Sequence, residues 1–288
     1  MQADVPAQQL AEELRRLRAL SGISGREFAQ RLGISQSTVS RIESGRLVPA
    51  LPVVIAWGEE VGASAETREK LRLLTEAAHT GVNRFHAALR DQPHLQDEIK
   101  EQEAAARVVR IFQPSVVPGL LQTAEYARRV FSLFQLPYRD EDLASALAAR
   151  MDRQLALYDT ARRFEFLITE AALRWRPGPP NLLVAQLGRI MNLSTLDNVS
   201  IGVIPHDTEA ITFTSHGFAI YDSGDEDDTG VVSVESVHAN LTVRAAEDVT
   251  LYRDRWSLLY RMAVFGGAAE KFLAGVADHL RAAGHEPP

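Results

Sequence analysis

Helix caps and a glycine turn within residues 24–46 constrain the fold more than any other part of the sequence. Ser24 and Glu27 have the spacing of a capping box, in which a hydroxyl accepts a hydrogen bond from an amide in the first helical turn. Gly33 is placed for a tight turn with a left-handed backbone, and Ser35 is a favourable N-cap for the helix that follows. These signals predict two short helices joined by a glycine turn.

The two faces of the later helix differ in chemistry. Val39 and Ile42 supply its apolar inner face. The opposite face carries polar and basic side chains, from Gln36, Ser37, Ser40 and Arg41. Glutamine can pair with adenine and arginine with guanine, and small serines let a helix approach the floor of the major groove. We therefore predict a DNA-reading helix-turn-helix with these four residues at the bases; the alternative is a helical packing module with a polar surface.

The first 80 residues as a whole are predicted to form an all-α domain of five helices. Apolar residues recur at helical spacing in a first helix that begins near Pro6. The same spacing recurs in a fourth helix over about 51–61 and a fifth over about 65–79.

Residues 8–79 resemble the XRE (xenobiotic response element, phage-repressor-type) helix-turn-helix. The resemblance implies a homodimer on double-stranded DNA, with two third helices in successive major grooves about 34 Å apart on a pseudo-palindromic site. It also implies an ion pair between Arg18 and Glu43, the glutamate of the Ile-Glu-x-Gly pattern. The phosphate contacts that it implies fall on Ser24, Gly25, Ser44 and Arg46. Gly25 stands where glutamine is common, so at that position only the backbone amide can contact a phosphate.

The rest of the chain changes period and predicts an α+β fold. Residues 81–104 are interpreted as a polar connector leading into a helix near 95–107, and residues 105–288 as an effector or partner-binding domain. Helices are predicted from Leu120 onward and over about 141–159, 170–175, 182–196, 246–263 and 268–283; strands are predicted over 164–169, 199–204, 218–221, 231–235 and 240–243. We expect a small mixed, mostly antiparallel sheet with helices packed against it.

This second domain resembles the C-terminal domain of unknown function found in actinobacterial antitoxin-like XRE regulators. The motifs that carry the resemblance are Val-Pro-Gly-Leu-Leu-Gln-Thr-Ala-Glu-Tyr-Ala at 117–127, Arg150-x-x-Arg153-Gln154, Thr169-Glu170, Gln186-Leu187, Val203-Ile204-Pro205 and Val234-Glu235. Such regulators are often encoded beside a small partner protein. The resemblance therefore implies a domain that senses that partner or a small ligand.

Six residues are candidates for an effector or partner pocket in this domain: Tyr126, Arg150, Arg153, Glu170, Trp175 and Glu235. Two interpretations stay open for most of them. Arg150, Arg153 and Glu170 form either structural ion pairs or the lining of a sensing pocket. Tyr126 and Trp175 belong either to the core or to a pocket wall.

Several classes of function are disfavoured by composition. The chain has no cysteine, which excludes disulfides, thiolate catalysis and thiolate metal sites. Without an apolar run of 18 residues or a signal-peptide pattern, we expect a cytoplasmic protein with no membrane partner. The best enzyme candidates, His206, Asp207, Ser215 and His216, do not have a recognised catalytic or metal-binding spacing. We therefore predict no catalytic residues, no metal and no cofactor.

The charge is distributed unevenly along the chain. The net charge is −7, but residues 1–80 sum to zero, so the remainder carries the whole surplus. An acidic second domain would repel phosphate, which leaves the first domain to approach DNA. We predict a sequence-specific transcriptional regulator. The alternatives are an antitoxin-like interaction protein that mainly holds a small cognate partner and autoregulates its operon, and an enzyme with a DNA-targeting domain.

Overall fold

Five helices form the first domain in the computed structural model, which describes residues 5–84, 102–133, 140–224, 229–236 and 239–283. The helices are α1 (Val5–Ser21), α2 (Gly25–Leu32), α3 (Gln36–Glu43), α4 (Leu51–Glu60) and α5 (Ala65–His79). The predicted all-α domain is confirmed, because each predicted helix is present within a few residues of its expected bounds.

The core of these helices is built around Trp57, which is fully buried. Its indole N–H donates to the Leu14 carbonyl of α1 at 3.2 Å, and its ring packs edge-on against Phe28 of α2 with centroids 4.6 Å apart. An indole needs such a partner when it leaves water, so this bond helps to fix α4 against α1. The result is a single small core that presents α2 and α3 at one side.

The second domain contains a seven-stranded sheet in the described parts of the chain. Its strands are β1 (Thr80–Arg84), β2 (Val108–Gln113), β3 (Arg163–Thr169), β4 (Val199–Ile204), β5 (Phe218–Asp222), β6 (Val231–Glu235) and β7 (Ala239–Val243). A 3₁₀ turn (Gly119–Leu121) is followed by α6 (Ala124–Leu133), α7 (Asp140–Arg153) with a second 3₁₀ turn (Gln154–Tyr158), α8 (Glu170–Arg174), α9 (Pro180–Leu193), α10 (Ala246–Arg261) and α11 (Gly266–Ala283).

The strand order is β1-β7-β6-β5-β2-β3-β4. Strands β2, β3 and β4 pair in parallel, and every other neighbouring pair is antiparallel. Helices α9 and α11 pack on one face of the sheet and α10 packs on the other, since alternate residues of the strands enter two separate apolar clusters. This mixed, mostly antiparallel sheet with helices on it confirms the predicted α+β fold.

Two strands were not expected from the sequence. β2, which was not predicted, occupies the middle of the sheet, between β5 and β3. β1 begins directly after α5, where a polar connector was predicted, and pairs with β7. Both assignments depend on partners far away in the chain. The predicted helix near 95–107 lies mostly outside the described residues, of which 102–105 are helical.

The helix predicted from Leu120 onward is interrupted. Gly119–Leu121 forms a 3₁₀ turn, Gln122 is extended, and α6 begins only at Ala124. Thr123 starts the second piece, because its hydroxyl accepts from the Tyr126 amide at 3.2 Å. None of the described helices is both long and apolar enough to cross a membrane.

Candidate nucleic-acid interface and effector cavity

Helices α2 and α3 are joined as a helix-turn-helix whose caps are made by their own side chains. The Ser24 hydroxyl accepts from the Glu27 amide at 3.3 Å, and the Ser35 hydroxyl accepts from the Thr38 amide at 3.0 Å. Gly33 has φ of +67°, a conformation that costs glycine little, and so turns the chain between the helices. The Glu27 carboxylate accepts from Arg31, one helical turn later, at 2.7 Å. This ion pair takes the place of the second bond of a capping box, in which the Ser24 amide donates to the Glu27 carboxylate.

The outer face of α3 carries the four residues that the sequence selects for base reading. Val39 and Ile42 are 2% and 1% exposed, which fixes the inner face. Gln36, Ser37 and Ser40 are exposed and Arg41 is half-buried. The Ser37 hydroxyl lies 2.7 Å from that of Ser35, so in the free protein it belongs to the cap of α3. Their contacts with bases stay predictions.

The four residues selected for phosphate contact lie at two places. Ser24 and Gly25 are at the start of α2, where the first amides of a helix have no partner within it and attract anions. Ser44 and Arg46 follow α3, and the Ser44 hydroxyl accepts from Arg46 Nε at 2.9 Å while donating to the Arg41 carbonyl at 3.1 Å. Ser44 thus positions Arg46, which a sequence pattern alone does not reveal.

Arg18 and Glu43 are brought together as the resemblance implies. Arg18 Nη2 donates to Glu43 Oε2 at 2.9 Å and Arg18 Nε donates to Oε1, a two-bond arrangement that ties α1 to the end of α3. Arg18 Nη1 also donates to the Ile23 carbonyl at 2.9 Å. Hydrogen bonding to Glu43 raises the pKa of Arg18 above its usual value. The pair therefore orients the helix that carries the base-reading face.

In the second domain, only half of the predicted pocket residues share one cavity. Arg150, Arg153 and Glu235 line a partly enclosed cavity of about 120 Å³ between the sheet and the segment that leads into α6. Tyr126 and Trp175 are instead in ring contact with each other, with centroids 6.3 Å apart. Of the six candidates, Tyr126, Glu170 and Trp175 are thus not among the residues that line this cavity.

Tyr126 and Glu170 do not line the cavity, and their contacts are with neighbouring parts of the fold. Burial raises the pKa of Tyr126 to about 12, an effect that the backbone of Val117 offsets in part. The Glu170 carboxylate accepts from Arg174 at 2.6 Å and from the His206 amide at 2.9 Å. Burial by itself would raise the pKa of Glu170, but these contacts hold it below its usual value. Glu170 thus joins α8 to the loop after β4.

Three glutamines hold the segment 118–123, the centre of the Pro-Gly-Leu-Leu-Gln-Thr motif. Gln122 Nε2 donates to the Val117 carbonyl at 2.7 Å, and Gln154 Nε2 donates to the Gln122 carbonyl at 2.7 Å. Gln186 accepts from the Thr123 amide and donates to the Leu121 carbonyl, both at 2.7 Å. These side chains satisfy backbone groups that an irregular buried turn leaves open. The motif therefore shapes the cavity wall.

Glu103 is a residue of this region that sequence reasoning missed. Its carboxylate accepts two hydrogen bonds from Arg153, one of them from Nε at 3.0 Å, and the two side chains are 3% and 8% exposed. Burial on its own would lower the pKa of Arg153, but Glu103 beside it raises the value. Burial and the same carboxylate raise the pKa of Tyr221. No sequence motif pointed to Glu103, because its partner Arg153 lies 50 residues later in the chain.

The histidine candidates do not form a common site. Ser215 Oγ lies 3.0 Å from His216 Nδ1, and the His216 ring contacts Tyr252 with centroids 6.2 Å apart. His206 is next to Glu170 instead, with Nδ1 at 3.9 Å from its carboxylate. In the part of the chain that the structure describes, no three His, Asp or Glu residues are grouped to hold a metal ion.

Comparisons with known proteins agree with this division of the molecule. A family described as "Helix-turn-helix domain" matches residues 9–71, and a family described as "Domain of unknown function (DUF5753)" matches residues 96–275, more than half of the chain. No curated protein matches. One similar solved structure is TrmBL2, an archaeal chromatin protein described as showing a novel mode of DNA binding: it is 14% identical, with a TM-score of 0.33, and the match covers 72% of this chain and 65% of that chain. That likeness is too low to carry an argument.

Proposed function

Because the chain belongs to the DUF5753 family and joins that domain to a helix-turn-helix domain, we propose that it is a sequence-specific, DNA-binding transcriptional regulator. The observation that carries the proposal is the outer face of α3, where Gln36, Ser40 and Arg41 project from a helix whose other side is buried. Helices of this kind read base edges in the major groove.

The regulator acts as a homodimer of the XRE type on a pseudo-palindromic site in double-stranded DNA. A dimer sets two α3 helices about 34 Å apart, which is one turn of the duplex. Gly25 and Arg46 lie on either side of the base-reading residues, so the phosphate contacts proposed for them would bracket α3. Such contacts set register and orientation, whereas base contacts supply specificity.

Charge supports an arrangement with the second domain away from the duplex. Residues 1–80 have no net charge, and the rest of the chain carries −7. A domain with no net charge attracts the phosphate backbone only weakly over a distance, so affinity for random DNA is modest. Specificity then depends on dimer geometry and on a few side chains of α3.

The second domain senses a signal and transmits it to DNA binding. We assign it no enzyme activity, and we place the protein in the cytoplasm with DNA. The resemblance to actinobacterial antitoxin-like regulators supports a sensing role, and the cavity lined by Arg150 and Arg153 supports a small ligand as the signal.

A second candidate function is that of an antitoxin-like protein that mainly holds a small cognate partner. Exposed apolar side chains on the second domain favour it: Phe213 is 78% exposed and Leu251 is 65% exposed. Arg255 donates to the Phe213 carbonyl at 3.4 Å, and Leu251 lies one turn before Arg255 on α10. Exposed apolar clusters mark surfaces for protein partners. Failure of the neighbouring gene product to co-purify would remove this candidate.

The test of the main proposal compares two arginine variants of the full chain on operator and random DNA, after the operator is located by footprinting. Arg41→Ala should weaken operator binding by about 1–3 kcal/mol relative to random DNA if Arg41 reads a guanine. Arg46→Ala should weaken binding to both DNAs alike, with a smaller dependence on salt. Arg128→Ala, on α6 with its side chain 51% exposed, is the control and should change neither. Equal losses on both DNAs for Arg41→Ala would contradict base reading.

A further inference from the structure

The segment between α3 and α4, residues 44–50, is anchored by hydrogen bonds near both of its ends. At the first end, the Arg46 amide donates to the Arg41 carbonyl of α3 at 2.9 Å. At the second end, the Pro49 carbonyl lies 3.1 Å from the ring nitrogen Nε2 of His79, the last residue of α5. Arg46, which is assigned to phosphate contact, therefore lies on a segment that α3 holds from one side and His79 from the other.

The chemistry of the second anchor is fixed by its acceptor. A carbonyl oxygen only accepts, so His79 Nε2 carries the proton and donates to Pro49. His79 Nδ1 is buried and has no hydrogen-bond partner in the part of the chain that the structure describes, so the bond to Pro49 orients the ring. Pro49 is buried as well, and a buried carbonyl that loses its donor is costly. Without His79 Nε2, the segment 44–50 should therefore shift so that this carbonyl reaches water.

His79 also belongs to the connection between the two domains. Its carbonyl accepts from the Arg244 amide, just after β7, at 3.0 Å. The next residue, Thr80, is the first of β1 and pairs with Val243 of β7. The ring of His79 thus contacts the segment that carries Arg46, while its backbone is bonded to the sheet of the second domain.

We infer that His79 is a positioning residue for DNA binding: its ring holds the segment 44–50, and with it Arg46, in a place set by the sheet of the second domain. The Arg46 side chain is exposed, and its guanidinium makes no bond to a described residue other than that from Nε to Ser44. Its reach to a phosphate therefore depends on the backbone that carries it. The inference rests on the proposed function, because Arg46 meets a phosphate only if the first domain binds DNA.

The test measures the affinity of the full chain for operator and random DNA in variants that keep or remove the ring donor. His79→Phe keeps a ring without a donor and should weaken binding to both DNAs by about threefold to tenfold, part of the loss caused by Arg46→Ala. His79→Gln places an amide nitrogen near the position of Nε2 and should bind within about twofold of the native chain. The control is Thr75→Val, which removes a buried hydroxyl that donates to the Leu71 carbonyl within α5, and it should leave DNA affinity unchanged.

Two further measurements separate positioning from a general structural role. In an Arg46→Ala background, His79→Phe should cost less than about twofold in DNA affinity, because the contact through which it acts is already gone. Hydrogen exchange of His79→Phe should rise in peptides that span residues 44–50. It should stay unchanged in peptides that span 239–244, since the pairing of β7 with β1 is made by the backbone.

His79→Leu is measured beside His79→Phe, so that poor folding of one variant without a donor leaves the test to the other. The inference is overturned if these variants bind DNA like the native chain, if they lose as much affinity in the Arg46→Ala background as without it, or if His79→Gln binds no better than they do. Any of these results in a chain that prefers its operator refutes only this inference. A native chain that shows no preference for any DNA sequence refutes the proposed function.

Discussion

Removing the ion pair between Arg18 and Glu43 should destabilise the first domain by an amount that a double-mutant cycle can isolate. The two side chains are 18% and 13% exposed, so water screens the pair only in part. Glu43→Gln keeps the shape of the side chain but removes its charge. Arg18→Met keeps the length and apolar stem of the side chain but removes every hydrogen bond of the guanidinium.

The expected magnitudes follow from those contacts. Each bond between charged groups contributes about 1.5–3 kcal/mol before screening, so Glu43→Gln should cost about 2 kcal/mol. Arg18→Met should cost about 3 kcal/mol, because it also removes the donor to the Ile23 carbonyl and leaves a carboxylate at the negative end of α3. The double variant should cost about 3 kcal/mol as well, which makes the coupling about 2 kcal/mol.

The assay is urea unfolding of the full chain. Hydrogen exchange is measured on peptides from residues 5–79, because this separates the unfolding of the first domain from that of the second. Arg72 and Glu69, a more exposed pair on α5 with side chains 40% and 56% exposed, provide the matched control and should show no measurable coupling. A coupling below about 0.5 kcal/mol for Arg18 and Glu43 would refute the reasoning, since it is the value of an ordinary surface pair.

The remaining predictions concern one variant with a higher affinity for DNA and one variant with a less stable second domain. Gly25→Gln should raise the affinity for operator and random DNA alike by several-fold, because no atom lies within 4 Å of an added Cβ and a glutamine there can reach a phosphate. Gly188→Gln, an equally open helical position in α9, should leave DNA affinity unchanged, and an unchanged affinity for Gly25→Gln would count against the phosphate contact. Glu103→Gln should destabilise the second domain by about 3–5 kcal/mol in urea unfolding, because it removes the charge of the carboxylate that accepts two hydrogen bonds from the buried Arg153. Adding Arg153→Met should recover most of that loss, and a cost below about 1 kcal/mol for Glu103→Gln would show that water reaches the pair.

Local signals predicted the first domain well. The caps at Ser24 and Ser35 and the turn at Gly33 join atoms only a few residues apart, so the sequence contains all the groups that decide them. The same holds for the division of α3 into a buried and an exposed face, which follows from helical spacing. Even the bond between Arg18 and Glu43, 25 residues apart, was implied by a family pattern and then found in the structure.

The second domain was predicted less completely because its decisive contacts are distant in sequence. Its α+β class followed from the alternation of strands and helices, but β1 became a strand only by pairing with β7, more than 150 residues later in the chain. Short strands owe their stability to such partners rather than to intrinsic propensity, so residues 80–84 carried little signal of their own.

The sequence by itself determined which side chains have the chemistry for a site, and the tertiary structure decided which of them meet. Arg150 and Arg153 were selected from the sequence, but their partners were not: Gln122 is 28 residues from Arg150, and Glu103 is 50 residues from Arg153. Glu170 and Trp175 had equally suitable chemistry and lie outside the cavity. Capping and helical periodicity depend on neighbours along the chain, whereas a cavity and its charge balance depend on how separate elements pack, which no local pattern specifies.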